Sequence, residues 1–237
     1  NNVTRSFTVA ATNVSVINCT VYATKGIFVS SGGTLRFENN VARNSGSGNS
    51  VFESIPGFSS IIASDGFNLF FLESGAALAK VGVITYQQLT DWQKASGRDW
   101  RSTVANPEFV DPSNYDFHTR SQLGRWDGTG FVTDSVTSVS IDLGNPADAF
   151  SSELAPNGNR VNAGGFGNTP EASKSRTNAW LTALTYQDGG TLNVPTDSIY
   201  WNYGGLPTGA TVRIELSSDG GANWSTVATN ISATLGT

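Results

Sequence analysis

The chain has 237 residues, room for one large domain or two small ones, and only 14% of them are charged, against about 25% in an average globular protein. Fourteen Lys and Arg against 19 Asp and Glu leave a net charge of −5, which argues against a nucleic-acid binder with its basic stripe. A single cysteine (Cys19) and a single histidine (His118) exclude an internal disulfide, a cysteine-based zinc site and any site built on two histidines, and no apolar stretch reaches the roughly 18 residues of a membrane span.

Asn stands at position 1 and Met occurs nowhere, so the sequence reads as a processed product or a fragment. Residues 1–70 show short strand patterning. Val14, Val16 and Ile17 alternate with Ser15, and Leu35 and Phe37 alternate with Arg36 and Glu38, with Gly, Ser and Asn between the runs. Val14–Cys19 aligns with Leu35–Asn40 at an offset of 21, and Ile27-Phe28-Val29 recurs near Val51-Phe52. A period in the low twenties is a solenoid signal. It places Asn18 and Asn39 at one corner of successive coils, where stacked amides form a ladder. The competing reading of this pattern is a β-sandwich with regularly spaced turns.

Phe67 to Leu72 form a dense apolar run, read as a buried strand at an edge. Thr85-Tyr86-Gln87-Gln88 predicts a capping box with Thr85 as N-cap, opening a short helix whose Tyr86, Leu89 and Trp92 share a face and whose C′ residue is Gly97. Such a helix would flank the solenoid or close its end. Residues 104–170 are rich in turns and aromatics and fit further irregular coils. Residues 172–180 read as a linker. Beyond them Thr191–Val194, Ser198–Tyr203, Thr211–Ser217 and Asn223–Ala228 alternate with period two, and Ser218-Asp219-Gly220-Gly221 is a hairpin turn.

Asn18-Cys19-Thr20, Asn106-Pro107 through Asp111-Pro112, Asp116-Phe117-His118, Ile141 through Pro146 and Asn157 through Gly167 together resemble the right-handed parallel β-helix proteins of the pectate-lyase-like type, secreted bacterial surface proteins among them. Val212 through Gly221, followed by Trp224, is similar to an extracellular immunoglobulin-like module. The resemblance implies an all-β protein: a parallel β-helix of few irregular coils with one short helix over 1–171, the linker, and an immunoglobulin-like β-sandwich over 181–237 that lacks its last strand. It also implies secretion to the extracellular space or cell surface.

The lyases of that type use acidic clusters with Ca²⁺ and a basic residue, yet Glu38, Glu53, Lys25, Arg36 and Arg43 form no acidic pair at coil spacing before residue 60. No carboxylate pair suited to glycoside hydrolysis stands out either. Asp111, Asp116, Asp127, Asp134, Asp142 and Asp148 read as turn formers, although oxygen-rich loops of this kind also suit a structural Ca²⁺. His118 reads as a hydrogen-bonded structural residue and Cys19 as a buried small hydrophobe. Trp126, Trp180, Trp201 and Trp224 read as core or interface residues before sugar-stacking platforms.

The resulting expectation is a non-enzymatic structural protein, without cofactor, that self-associates into a fibre or surface assembly. Arg5-Ser6-Phe7-Thr8-Val9-Ala10 alternates and is the candidate segment for strand donation, and a non-closing head-to-tail contact gives a homopolymer. A polysaccharide-binding or lyase-like protein, with glycans as partners, is the second reading. The C-terminal part of a large adhesin is the third.

Overall fold

The computed structural model describes residues 7–30, 34–54, 66–73, 75–193 and 196–236. The chain is mostly β, with parallel sheets and one short helix. It begins with β1 (Phe7–Val9), β2 (Val14–Ile17) and β3 (Thr20–Ala23), then β4 (Ile27–Val29), β5 (Leu35–Glu38) and β6 (Val41–Asn44). These strands stack one rung on the next in parallel register: Phe7 on Ile27, Val14 on Leu35, Thr20 on Val41. The offset of 21 residues read from the sequence is the register of β2 on β5 and of β3 on β6.

The stack continues with β7 (Ser50–Ser54), β8 (Leu69–Leu72) and β9 (Ala77–Val81). β10 (Ile84–Tyr86) folds back antiparallel on β9, helix α1 (Leu89–Ser96) follows, and β11 (Thr103–Val104) closes the parallel series on β8. Two sheets result, ordered β1-β4-β7-β9-β10 and β11-β8-β6-β3, with β2-β5 as a third face. The run ending at Leu72, expected as an edge, is an interior strand between β6 and β11.

The inward positions form a column of rings. Phe37, Phe52 and Phe70 are fully buried and meet edge to face, with centroids 5.2 Å and 5.9 Å apart, and Trp92 of α1 stacks on Phe52 at 6.2 Å. Each such ring contributes on the order of 2–3 kcal/mol by burial, so the column ties successive rungs together.

The corners carry a second column, of hydrogen bonds. Asn18, Asn39 and Phe67 hold left-handed backbones (φ 49, 56 and 58) that turn the chain between sheets. The residue after each corner is the ladder residue. The Cys19 amide donates to Asn40 Oδ1 (2.8 Å), the Asn40 amide to Asn68 Oδ1 (2.9 Å) and the Asn68 amide to Ser102 Oγ (3.0 Å). The stacked pair expected at Asn18 and Asn39 is therefore displaced by one residue. Asn39 points outward, where its amide donates to Asp148 (2.6 Å) and its carbonyl accepts the Asn145 amide (2.7 Å).

Helix α1 ends as expected at Gly97, whose φ of 68 is left-handed. Its start differs from the capping box. Thr85 is in β10, paired with Lys80, and Gln88 stands at the N-cap without a side-chain bond to the helix's own amides. Strand pairing with β9 claims the backbone that the capping box needed.

Beyond Val104 the parallel stacking stops, so the further coils expected over 104–170 are replaced by antiparallel hairpins and turns. β12 (Phe109–Asp111) pairs with β13 (Asp116–Thr119), and β14 (Arg125–Trp126) with β15 (Phe131–Val132). Residues 133–179 carry no strand. Leu143 and Ala163 from this region pack with Val41, Leu69, Phe109 and Leu184 in a second core. The stretch from residue 172, read as a linker, starts packed: Ala172, Ser173 and Ser175 are buried, and Ser173 Oγ donates to the Thr119 carbonyl.

In the C-terminal region β16 (Trp180–Ala183) pairs antiparallel with β17 (Trp201–Gly204), and β18 (Thr211–Leu216) with β19 (Ser225–Ser232). Gly204 lies against the Trp180 indole, where a Cβ would come within 2.4 Å of Nε1. Gly220 and Gly221 take positive φ in the turn between β18 and β19, as the sequence predicts. The strand expected over Thr191–Val194 is irregular through Asn193, and Val194 lies outside the described residues. The described residues form two ribbons here. They face each other across an apolar cleft of about 570 Å³ lined by Leu181, Ile199, Val212, Ile214, Leu216 and Trp224.

Candidate functional site

The strands of the first rung, β1, β2 and β3, are each hydrogen-bonded on one side only among the described residues. Within a strand, the N–H and C=O of one residue point to the same side and alternate with those of the next. The Val9 and Ala11 carbonyls accept from Ser30 and Thr34, so these residues face the second rung and Thr8 faces outward. By the same alternation Ser15 on β2 and Tyr22 on β3 present their backbone groups outward, since the Val14 and Asn18 amides and the Cys19 and Ala23 carbonyls are engaged with the next rung. Phe7, Val14, Val16, Cys19 and Val21 line a concave apolar surface at this end.

Of the candidate donor segment, Phe7, Thr8 and Val9 form β1 and are already paired with Ile27, Phe28 and Val29. Val9 is buried and Ala10 is exposed. Arg5 and Ser6 lie outside the described residues. The segment therefore has one edge left for a neighbour. At the far end of the same two sheets stand β10 and β11, also paired on one side among the described residues, with Val83 (96%) exposed in the turn before β10 and Ile84 (55%) exposed at its start.

The carboxylates divide into two groups. Asp111, Asp116 and Asp127 accept amides just ahead of them in the chain, from Asn114, His118, and Thr129 with Gly130, as the turn-former reading predicts, whereas Asp134 accepts the amide of Ser121, 13 residues before it. Asp148 accepts from the Asn39 side chain. Asp142 and Glu153 are buried. Asp142 takes the Ser175 hydroxyl (2.7 Å) on Oδ1, and burial pushes its carboxyl up to about 6 against the opposing pull of that bond and of Arg160 and Arg176. Glu153 Oε1 accepts the amides of Asn162 (2.9 Å) and Asn168 (2.8 Å), while its buried Oε2 has no partner. Burial raises it to about 7, and the neighbouring Asp142 charge adds to the rise. Arg160 is drawn down to about 10 by burial and donates to the Leu143 and Gly144 carbonyls and to Asn202.

Asp99 closes the ladder. It accepts from Trp92 Nε1 (2.9 Å), the Ser102 hydroxyl (2.8 Å) and Asn68 Nδ2 (3.1 Å), and complete burial pushes its carboxyl up. His118 lies flat on Phe166 at 3.7 Å, with Nδ1 2.7 Å from Asp116 Oδ1 and Nε2 3.4 Å from Glu171 Oε2. Cys19 is half-buried at the first rung, unlike the core position expected, because no rung stacks above it among the described residues. Trp201 is buried and Trp126 and Trp180 are half-buried, but Trp224 is 61% exposed at the mouth of the apolar cleft, its indole held by the Gly221 carbonyl (3.0 Å). No group of three His, Cys, Asp or Glu side chains converges among the described residues, and no helix there is long and apolar enough to cross a membrane.

The sequence reading missed Asn40, Asn68 and Ser102 as ladder residues and Asp142 with Glu153 as a buried pair. The first set carried a signal, since Asn40 directly follows the aligned corner.

Residues 88–144, from the start of α1 to Gly144, match a family model described as Disaggregatase related. The match covers well under half of the chain. No curated protein and no solved structure matches.

Proposed function

We propose that this chain is a non-enzymatic structural protein of the extracellular space or cell surface, built as a right-handed parallel β-helix with an immunoglobulin-like module after it, and that copies associate head to tail through the ends of the stack. The observation that carries this reading is the pair of sheets that begin on β1 and β3 and finish on β10 and β11, each terminal strand bonded on one side among the described residues. A second copy set on the first rung would continue both sheets through main-chain hydrogen bonds, as strand addition does elsewhere. Because the two ends differ, the contact is heterologous and repeats without closing. The disaggregatase-related match fits a surface protein of this architecture. The Asp carboxylates of the turn regions are engaged by the protein's own amides and hydroxyls, which fits a structural role.

Sedimentation across a concentration series, with electron microscopy of the heaviest species, tests the reading. Rods of stacked copies are expected; a monomer at every concentration would overturn it.

A second reading, as a polysaccharide-binding or lyase-like protein, draws on the exposed Trp224 ring beside the apolar cleft. Retention on a glycan array that is lost in Trp224→Ala, or cleavage of an acidic polysaccharide in the presence of Ca²⁺, would favour it over the scaffold.

A further inference from the structure

The strandless region between residues 133 and 179 is held by scattered backbone bonds, such as the Gly144 amide on the Val161 carbonyl and the Ala163 amide on the Ser140 carbonyl, and by its side chains. Three residues there are joined by bonds between side chain and backbone. Asn162 Oδ1 accepts the Asp142 amide (2.9 Å), the Asn162 amide donates to Glu153 Oε1, and Asn162 Nδ2 donates to the Ser173 carbonyl (2.7 Å). Around this core, Asp142 receives Ser175 on its carboxylate and Asn202 of β17 on its carbonyl (2.7 Å), and the Asn145 side chain reaches Glu38 of β5 (2.9 Å). The cluster thus joins the parallel stack, the turn region and the C-terminal ribbons. A Cβ on Gly158 would lie 2.2 Å from the Asp142 carboxylate, so the backbone is closed tightly over it.

The charge inventory of this junction is unbalanced. Asp142 and Glu153 repel each other. Arg160, which acts on Asp142 through space, spends its hydrogen bonds on two carbonyls and Asn202, with Arg101 opposing its charge and Tyr203 nearby. Arg176 is the other cation that acts on Asp142, and its guanidinium donates to the Thr137 carbonyl. A buried carboxylate with one bare oxygen is costly in its ionised form and far less so when neutral.

We propose that Asp142, Asn162 and Glu153 form a proton-operated clasp, which holds the turns between 140 and 175 closed on the stack and on β17 when the two carboxyls are neutral and loosens when they ionise. The direction follows from linkage. Both groups bind protons more tightly in the closed form, at about 6 and about 7, than their ordinary 3.8 and 4.5. Their contribution is therefore complete in acid and declines as pH rises through neutrality. The clasp is independent of whether copies stack end to end, because none of its residues belongs to the first rung.

Residue-resolved hydrogen exchange on the intact chain, corrected for intrinsic pH dependence, tests it. The amides of Asn162 and Asn168 should lose about tenfold in protection between roughly pH 5 and pH 8, while the Ala77 amide, bonded to the Asn49 carbonyl in the stack, stays level. Glu153→Gln keeps the Oε1 acceptor and should flatten most of the change. Equal protection at both pH values, or an undiminished change in Glu153→Gln, would overturn the clasp. Should that variant fail to fold, carboxyl carbon-13 titration of the wild-type chain decides: a Glu153 midpoint near neutrality supports the proposal, and one in the ordinary carboxylate range refutes it.

Discussion

Asp188 caps a helix that begins 99 residues before it: its Oδ2 accepts the Leu89 amide and its Oδ1 accepts the Thr90 hydroxyl at 2.7 Å. The Gln88 side chain adds a bond to the Asp188 carbonyl at 2.6 Å. The N-terminus of α1 would otherwise leave these donors without an intrahelical partner, and a carboxylate there is also favoured by the helix dipole. The C-terminal region is thereby fastened to the last rung of the stack.

Asp188→Ala should lower stability by about 1 kcal/mol, the usual cost of losing a cap. Urea denaturation reads it as a shift in midpoint at constant slope. An unchanged midpoint would show that the helix start draws nothing from Asp188.

The ladder makes a sharper contrast. Asn68→Ala leaves the Asn40 amide without its acceptor and takes one bond each from the Phe37 carbonyl and the Asp99 carboxylate, in a fully buried place. The expected loss is about 3 kcal/mol or more, since each orphaned buried group costs roughly 1–3 kcal/mol. Cys19→Ala occupies the equivalent ladder position on the first rung, where the side chain bonds only its neighbour Ile17, and should cost under about 1 kcal/mol. Equal losses in the two variants, by the same denaturation assay, would mean the ladder does not bear on stability.

Acid should weaken the link between α1 and the C-terminal region. Asp197 is held down to about 2, first by the Lys94 ammonium at 2.8 Å, then by the Asn193 amide and the Tyr186 hydroxyl, each at 2.7 Å. A carboxyl lowered in the folded state contributes stability above its ordinary 3.8, and that contribution is lost as pH falls towards 2. Asp197→Asn should therefore be less stable at neutral pH and show a shallower acid limb in this window, followed by circular dichroism. A wild-type acid limb in the variant would refute the assignment.

Assembly should respond to a single outward amide. Thr8→Pro removes the N–H that β1 presents to a neighbour and spares the bond from Ser30 to the Val9 carbonyl at 2.9 Å. The monomer should keep its stability to within about 1 kcal/mol, while sedimentation shows the larger species gone. Assembly unaffected by the proline would place the contact elsewhere than β1.

What the sequence disclosed depended on how local the cause was. The register of Val14 on Leu35 was legible because both strands alternate in step and the same 21-residue offset carries β3 onto β6. From β7 onward the repeat lengthens and the alignment fades, so Leu69–Leu72 passed for an edge. The helix was legible from Leu89, Trp92 and Gly97, but not its cap, because Asp188 is remote in the chain. Asp142 and Glu153 look like any turn carboxylates until Ser175, Asn162 and Asn202 are brought around them. The alternation of Thr211–Leu216 was read correctly as a strand, yet nothing in it says that Trp224 would remain outside.

Spacing along the ladder lengthens from 21 residues to 28 and then 34, while the hydrogen bonds between its members stay within 2.8–3.0 Å. Between Asn68 and Ser102 the extra chain is β10 and α1, and the axial column does not register it. Length in this architecture is therefore a free variable at each turn of the chain. A whole helix, with its Trp92 set in the core, is thus accommodated between two neighbours of the column while the bond that joins them keeps its length.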